Sequence, residues 1–266
     1  MKKIVNFCPT GSEPTRENSL APLFPNEIIE DVCKAYDEDL ITLVHIHARD
    51  KNGKPSNKIE HFAPIVEGIR NYCPELTICT SLSGRHNNTF EARSEVLELK
   101  PNMGSLTMSS WNYTTGVNIN SPEMIIKLAE KMNDLNIVPE IECFDSGMLN
   151  YTNYLISKNI LRKPIYINMI LGNLTNAQAD EISVNHLLHY KPKDSYLCLG
   201  GIGKNQFKIL PFIEKVDGIR IGLEDNIHDE NKNKTTNQYL LSKLDFKTMS
   251  PSEFKKWIKN GNNNIR

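Results

Sequence analysis

The chain has 266 residues, of which 39% are hydrophobic and 24% charged, with 14 glycines and 14 prolines. This composition is typical of a globular protein and excludes a disordered chain, a collagen-like chain and a disulfide scaffold. Lys and Arg number 31 against 32 Asp and Glu, a net charge of −1, so no excess of charge favours nucleic acid or a membrane surface. We therefore expect neither nucleic acid nor a membrane as a partner.

The amino-terminal segment and the cysteines bear on the cellular compartment. The chain starts with two lysines before an apolar run, but Asn6 and Pro9 interrupt that run before it reaches the length of a secretory signal. No stretch approaches the roughly 18 apolar residues of a membrane-spanning helix. The six cysteines lie in apolar runs without CxxC spacing, as reduced, buried thiols do. We expect a cytoplasmic protein.

Short apolar, β-rich runs alternate with amphipathic stretches along the whole chain. The clearest helix is predicted from Ser121 to Asn136, where Ser121 can cap the first turn and apolar residues recur at helical spacing. The predicted strands number eight: Ile4–Thr10, Leu40–Asp50, Leu76–Ser83, Met103–Ser109, Val138–Asp145, Pro164–Gly172, Ser195–Gly203 and Gly218–Asp225.

Strands that alternate with helices predict parallel pairing through right-handed crossovers. Eight such units, about 30 residues apart, are what a closed (β/α)₈ barrel requires. A doubly wound open sheet stays possible, but that fold usually has a glycine-rich phosphate turn after its first strand, where this chain has Pro-Thr-Gly-Ser-Glu-Pro at 9–14. We therefore predict an α/β fold of the (β/α)₈ TIM-barrel class.

No linker divides the chain, so residues 1–266 are predicted to form a single barrel domain. Ser250 and Glu253 have the spacing of a capping box, which begins a C-terminal helical extension over about residues 249–260. The asparagine-rich segment Gly261–Asn264 is predicted to be a disordered tail.

Polar side chains share one face of several predicted strands, because successive residues of a strand point to opposite sides. His45 and His47 share a face of the second strand, and Glu140 and Glu142 share a face of the fifth. A barrel without a site would fill its interior with layers of Val, Ile and Leu. Charges inside a barrel must pair with one another, with a metal or with a ligand, which favours a functional site.

The two histidines are candidate metal ligands. Imidazoles at i and i+2 on one strand face lie about 7 Å apart and can both reach one cation. Glu224, at the end of the last strand, is the natural third ligand, because the last strand closes on the first two. Two imidazoles and one carboxylate suit a catalytic zinc site. The alternative is that the histidines are hydrogen-bonded structural residues and that Arg220 and Glu224 form a structural ion pair.

Two further carboxylates lie near the predicted mouth. Asp225 follows Glu224 directly and is expected to point away from it, toward the loops. It could act as a general base oriented by Arg220, or it could cap the next segment. Glu13 follows the first strand, and its ordinary interpretation is a solvated loop residue.

Four strings of the sequence resemble those of the β-keto acid cleavage enzymes. The resemblance runs in order through almost the whole chain, and the pair HxHxRD and RxGxEDN is specific. The strings are His-Ile-His-Ala-Arg-Asp-Lys-Asn-Gly-Lys-Pro-Ser at 45–56, Pro-Glu-Ile-Glu at 139–142, Gly-Gly-Ile-Gly at 200–203 and Arg-Ile-Gly-Leu-Glu-Asp-Asn at 220–226.

The resemblance implies a (β/α)₈ barrel with one Zn²⁺ per subunit, held by His45, His47 and Glu224, and usually a homotetramer. It implies that a β-keto acid condenses with acetyl-CoA, that CoA moves within the adduct, and that acetoacetate and a new acyl-CoA leave after retro-Claisen cleavage. Asp225, with Arg220, would take the proton from the carbon between the two carbonyls. The remaining residues implied to surround the substrate are Ser81, Ser105 and Glu142.

Glu13 bears on the substrate that the resemblance implies. It stands in the string Thr-Gly-Ser-Glu-Pro-Thr-Arg at 10–16, which resembles the string whose Glu faces the ammonium of 3-keto-5-aminohexanoate in the members that act in lysine fermentation. A carboxylate in a partly dry pocket favours a cationic side chain. The prediction is therefore 3-keto-5-aminohexanoate, with 3-aminobutyryl-CoA as product. Pro14 and the segment Ser81–Gly84 depart from the family pattern.

Two other classes of function stay open. A metal-dependent hydrolase of the amidohydrolase type also uses HxH on a barrel strand, but it needs histidines on the fifth and sixth strands, where this chain has Glu140, Glu142 and Asn168. A metal-containing binding protein would use the same fold to retain a ligand, and it would release no product.

Overall fold

The computed structural model describes residues 2–86, 88–113 and 116–263. Side chains are described for all of these except residues 262 and 263. Within them, eight parallel strands close into a barrel, and each strand pairs with its neighbours in chain order until the last meets the first. The barrel strands are β1 Ile4–Phe7, β2 Leu43–Ile46, β3 Thr77–Thr80, β4 Met103–Thr107, β5 Val138–Cys143, β6 Ile165–Leu171, β7 Ser195–Gly201 and β8 Gly218–Ile221.

Helices alternate with the strands, which confirms the predicted (β/α)₈ architecture. Two 3₁₀ helices, Glu95–Leu99 and Leu210–Lys215, supplement them. The α-helices are α1 Pro25–Asp37, α2 Ile59–Tyr72, α3 Phe90–Ser94, α4 Pro122–Asp134, α5 Ser146–Ser157, α6 Glu181–Tyr190, α7 Asn205–Lys208, α8 Asn237–Leu241 and α9 Pro251–Asn263.

Several strands are shorter at their carboxyl ends than the sequence predicts. The last strand ends at Ile221 because Gly222 has φ +145°, a conformation open to glycine, and a Cβ there would lie 2.1 Å from the Cys8 carbonyl oxygen. After β2, the chain instead forms a short antiparallel pair between Ala48–Arg49 and Pro55–Ser56. Apolar patterning continues into these loops, so periodicity alone overestimates the strands.

The outward faces of the strands and the inner faces of the helices form one large apolar core. A second apolar cluster fills the barrel interior near the amino-terminal ends of the strands, where helix α9 covers it with Phe254 and Ile258. The Phe254 ring packs edge-on against Tyr166, with centroids 5.4 Å apart. The other members of this inner cluster are Ile4, Leu43, Cys79, Met103, Val138 and Cys198.

Helix α9 begins with the predicted capping box. The Ser250 Oγ accepts from the Glu253 backbone N–H, and Glu253 Oε2 accepts from the Ser250 N–H at 3.0 Å. The helix continues to Asn263, so the prediction of a disordered tail is wrong for residues 261–263, and Asn264 lies outside the described residues. Gly261 packs against Pro164, and a Cβ at this position would lie 2.6 Å from the proline Cδ.

All six cysteines are free and buried, as the sequence predicts. Among the described helices, none combines the length and the apolar character that crossing a bilayer demands.

Candidate active site

Above the apolar cluster, the barrel interior becomes polar, and a fully buried carboxylate lies at its centre. Glu140 Oε1 accepts from Asn6 Nδ2 at 2.5 Å and from Asn168 Nδ2 at 2.9 Å. Its Oε2 accepts from Cys79 Sγ at 3.0 Å and lies 2.5 Å from His45 Nδ1. Four partners on four strands therefore hold this carboxylate and fix the orientation of the His45 ring.

The three predicted metal ligands converge directly above Glu140. Because Nδ1 of His45 is bound to Glu140, its Nε2 points at Glu224, with Oε2 at 3.8 Å. His47 Nε2 lies 3.1 Å from the other oxygen of Glu224. One ligand atom from each of the three residues lies within 4.8 Å of the others. His45 lies within β2, whereas His47 and Glu224 follow the ends of β2 and β8, so strand parity alone does not account for this group.

Two atoms of this group fit a cation. His45 Nε2 and Glu224 Oε2 are buried and have no hydrogen-bond partner among the residues that the structure describes. Leaving buried polar atoms unpaired is costly, and a cation between the histidines and the carboxylate would satisfy both. His45, Cys79 and Glu140 form a second cluster of potential ligands, but its atoms are already hydrogen-bonded to one another.

The electrostatics also favour positive charge at this point. Burial lowers the pKa of His45, but the carboxylates of Glu224 and Glu140 outweigh burial and raise it to about 9. Burial lowers the pKa of His47, which keeps its imidazole neutral. Burial acts to raise the pKa of Glu224, yet Arg220 and the two histidines hold it well below its usual value. His47 and Glu224 are therefore in the forms that ligate metals, and His45 would release its proton when a metal ion binds.

Arg220 is the central cation of the mouth, and three carboxylates contact its buried guanidinium. Its Nη2 lies 2.6 Å from Glu224 Oε1, and its Nε donates to Asp225 Oδ2 at 2.8 Å. Its Nη1 donates to Glu142 Oε1 at 3.3 Å. Burial raises the pKa of Asp225 and of Glu142, with Arg220 opposing the rise in both.

The expectation that Asp225 points away from Glu224 is wrong. Strand alternation ends at Ile221, and the turn at Gly222 brings both Glu224 and Asp225 back to Arg220. Asp225 therefore lines the same cavity as Glu224.

The predicted substrate residues differ in their positions. Ser81 and Glu142 line the cavity, and Thr107 Oγ1 donates to Glu142 at 2.8 Å. Ser105 is buried beside the cavity, and its Oγ accepts from the Leu82 backbone N–H at 3.0 Å. Ser105 thus supports the loop that follows β3 and does not line the cavity in the described structure.

The cavity has a volume of about 450 Å³, within the range of small-molecule sites. Its floor carries the ionisable residues above, and its outer wall is aromatic, with the Trp111 ring stacked on Phe144 at 4.3 Å. Glu13 lies on the outer wall, where its carboxylate accepts from Arg85 Nη1 at 2.7 Å.

Sequence reasoning missed four contributors to the site: Asn6, Asn168, Arg85 and the supporting role of Glu140. The inward parity of Glu140 was visible, but its partners come from other strands and depend on barrel register. Arg85 follows β3 in an irregular loop, where no periodicity places a side chain.

The fold and the site define a (β/α)₈-barrel enzyme whose ionisable mouth can hold a cation. The family model described as "beta-keto acid cleavage enzyme" matches residues 2–246 of the chain. The chain belongs to this family, as the resemblance of its motifs predicts, and it is an acyltransferase.

Similar curated proteins have related names. The chain is 29% identical over 232 residues to a 3-keto-5-aminohexanoate cleavage enzyme of Acetoanaerobium sticklandii, covering 86% of this chain and 85% of that protein. It is 31% identical over 255 residues to a 3-oxoadipate:acetyl-CoA acetyltransferase of Cupriavidus necator, covering 94% and 84%. A solved structure, the ternary complex of ObcA with C4-CoA adduct and oxalate, has TM-score 0.73 at 16% identity, covering 90% of this chain and 67% of that chain, which supports the fold.

Proposed function

We propose that this enzyme condenses a β-keto acid with acetyl-CoA and releases acetoacetate and a new acyl-CoA, with Zn²⁺ held by His45, His47 and Glu224. The observation that carries the proposal is the pair of unpartnered buried atoms, His45 Nε2 and Glu224 Oε2. Glu224 and His47 line a cavity of substrate size. Two imidazoles and one carboxylate are a ligand set of catalytic zinc sites. The relatives' names supply the acetyl-CoA co-substrate.

When bound, zinc supplies Lewis acidity to the keto and carboxylate oxygens of the acid. Asp225 is the proposed general base, and it takes a proton from C2, the carbon between the two carbonyls. The raised pKa of this carboxyl group brings it closer to the range of an effective base. Arg220 holds both oxygens of Asp225 and so fixes the position from which the proton is removed.

The electron pair left on C2 forms a bond to the thioester carbonyl carbon of acetyl-CoA, and the CoA thiolate leaves. The thiolate then adds to C3, the original keto carbon, and the bond between C2 and C3 breaks. C2 regains the proton that Asp225 took, which releases acetoacetate, and C3 leaves as the carbonyl carbon of the new acyl-CoA. Atoms and charge balance without a further reactant.

The other predicted residues have supporting roles in this proposal. Ser81 and Glu142 bind the acid or the adduct from the cavity wall. Ser105 acts through the Leu82 backbone and therefore positions the loop that carries Ser81. The homotetramer and the cytoplasmic location stay predictions.

The identity of the acid is a separate question. The prediction of 3-keto-5-aminohexanoate, and with it a role in lysine degradation, depends on the Glu13 carboxylate facing a substrate ammonium. That carboxylate bonds to Arg85, so its charge is already offset. The reaction class does not depend on this residue.

The test incubates zinc-loaded protein with acetyl-CoA and each of three six-carbon acids: 3-oxohexanoate, 3-oxoadipate and 3-keto-5-aminohexanoate. We expect acetoacetate from at least one acid, in equal amount to the new acyl-CoA, and none from protein stripped of metal. Free CoA and acetate without acetoacetate would instead indicate a hydrolase. Retention of an acid without any product would indicate a binding protein.

A further inference from the structure

An arginine and a glutamate form an unequal ion pair on the outer wall of the cavity. Arg85 and Glu13 both line the cavity, and their charged atoms lie 2.7 Å apart. The Arg85 side chain is 15% exposed, whereas the Glu13 side chain is 65% exposed. The Glu13 carboxylate can therefore turn into solvent far more easily than the Arg85 guanidinium can.

Aromatic rings hold the guanidinium in place. The Arg85 guanidinium carbon lies 4.1 Å from the centroid of the Tyr113 ring and 5.9 Å from that of Trp111. Both rings belong to the strand Trp111–Tyr113, which pairs with Gly116–Asn118 over the mouth. Cations over aromatic faces are stabilised, and the planar guanidinium suits this packing.

Trp111, which also lines the cavity, carries a second donor. Trp111 Nε1 is buried and has no hydrogen-bond partner within the described parts of the chain. An indole N–H only donates, so the group that would satisfy it is an acceptor such as a carboxylate oxygen. Arg220, by comparison, is already in contact with three carboxylates of the floor.

Resting on the proposed function, we propose that Arg85 selects β-keto acids with a second carboxylate at the distal end, and that Glu13 is its exchangeable counter-ion. A substrate carboxylate replaces Glu13 on the guanidinium, and Glu13 turns into solvent. A neutral distal group gains nothing from the ion pair. A substrate ammonium group competes with Arg85 for Glu13. The part-buried Arg85 guanidinium then faces the ammonium without its counter-ion, which is unfavourable.

The experiment compares kcat/KM for 3-oxoadipate, 3-oxohexanoate and 3-keto-5-aminohexanoate, which share six carbons and differ in distal charge. In the unchanged enzyme, we expect the dicarboxylate to be the best substrate and the amino acid the poorest. Arg85→Gln should lower the ratio of 3-oxoadipate to 3-oxohexanoate by roughly 10–100-fold, the usual effect of losing a charge-assisted hydrogen bond. The ratio of the amino acid to 3-oxohexanoate should rise, because Glu13 is released.

The matched control is Arg162→Gln, which removes an exposed arginine away from the cavity and should leave both ratios unchanged. Calorimetric binding of 3-oxoadipate and 3-oxohexanoate without acetyl-CoA gives a readout that does not need turnover. There too, Arg85→Gln should abolish the preference for the dicarboxylate.

The outcomes separate the two proposals. Acetoacetate formation with ratios that Arg85→Gln does not change overturns the role of Arg85 and leaves the reaction standing. No acetoacetate from any acid overturns the reaction, and calorimetry then decides the role of Arg85. A preference for the amino acid in the unchanged enzyme overturns the inference and supports Glu13 as the group that reads the substrate.

Discussion

The two ends of the barrel use the same strands for opposite purposes. On β2, Leu43 packs into the apolar cluster at the amino-terminal end, and His45, two residues later, faces the carboxylates of the mouth. On β5, Val138 and Glu140 show the same change over the same distance. One end is sealed by α9, whereas the other opens into the cavity.

The difference shows where stability and function are located. Apolar burial at the closed end stabilises the fold. Burying ionisable groups at the mouth is costly and is tolerated only where they are paired. His45 Nε2 and Glu224 Oε2 have no hydrogen-bond partner among the described residues, and the proposed cation would satisfy both. Substitutions at the mouth should therefore affect metal binding and activity, and substitutions at the closed end should affect stability.

The largest effect is expected for His45→Ala. Removing one of three ligands should leave the protein without stoichiometric zinc and lower kcat/KM by at least about 1,000-fold, because Lewis-acid assistance contributes several kcal/mol. Plasma emission spectrometry measures the metal. Leu43→Ala, on the same face of the strand, is the control and should keep one zinc per chain. A full equivalent of zinc in His45→Ala would remove this residue from the ligand set.

At the closed end, Phe254→Ala should lower the free energy of unfolding by about 3–5 kcal/mol, the usual effect of removing a buried aromatic ring. Its ring is fully buried against Tyr166. Denaturant unfolding measures the loss, and zinc content should stay at one equivalent in the folded protein. Loss of zinc without loss of stability would show that the two ends are not separable.

Glu140→Gln tests the link between the two ends. The substitution keeps the shape, removes the charge and places an amide N–H₂ against the donors that a carboxylate satisfied. Zinc affinity and activity should each fall by about 10–100-fold, as they do when the partner of a ligating histidine is changed. Chelator competition measures the affinity.

The matched control is Cys79→Ser, which keeps a donor to the Glu140 carboxylate and should change the affinity by less than about threefold. An unchanged affinity in Glu140→Gln would show that His45 is oriented by packing alone.

The smallest effect concerns Asp31, which joins α1 to the turn at the mouth. Its carboxylate accepts from Asn237 Nδ2 at 2.6 Å, and Asn237 Oδ1 accepts from the Leu223 N–H at 2.8 Å. Burial raises the pKa of Asp31 from 3.8 to about 6, against the effect of Asn237.

The folded state therefore binds the Asp31 proton more tightly than the unfolded state. Asp31 consequently contributes most to the free energy of unfolding at low pH. This contribution declines as the pH rises from about 4 to 6. Asp31→Asn should remove this pH dependence. The change in Tm from pH 4.5 to pH 7 should therefore be about 2–4 °C more positive in the variant than in the unchanged protein. Parallel Tm curves for the two proteins would contradict the raised pKa.

The alternation of strands and helices was sufficient to predict the barrel. Glu224 lies beyond the end of β8, so strand parity, which predicted that His45 and His47 share a face, does not by itself place the third residue of the group. Strand parity failed where the chain leaves the strand. The turn at Gly222 reversed the expected direction of Asp225, and a close approach to Cys8 causes that turn.

The ion pair of Arg85 and Glu13 could not be predicted for a related reason. It joins two loops 72 positions apart in sequence, and neither loop has a periodicity that places its side chains. The partners of Glu140 likewise come from four other strands, and only the register of the barrel brings them to one point.

The central claim is that the mouth forms a carbon–carbon bond between a β-keto acid and the acetyl group. Acetyl-CoA labelled with ¹³C at its carbonyl carbon tests this most directly, with zinc-loaded protein, 3-oxoadipate and 3-oxohexanoate as substrates, and NMR of the products. The mechanism predicts the label at C3 of acetoacetate and none in the new acyl-CoA. Label in free acetate, with acetoacetate unlabelled or absent, would contradict it.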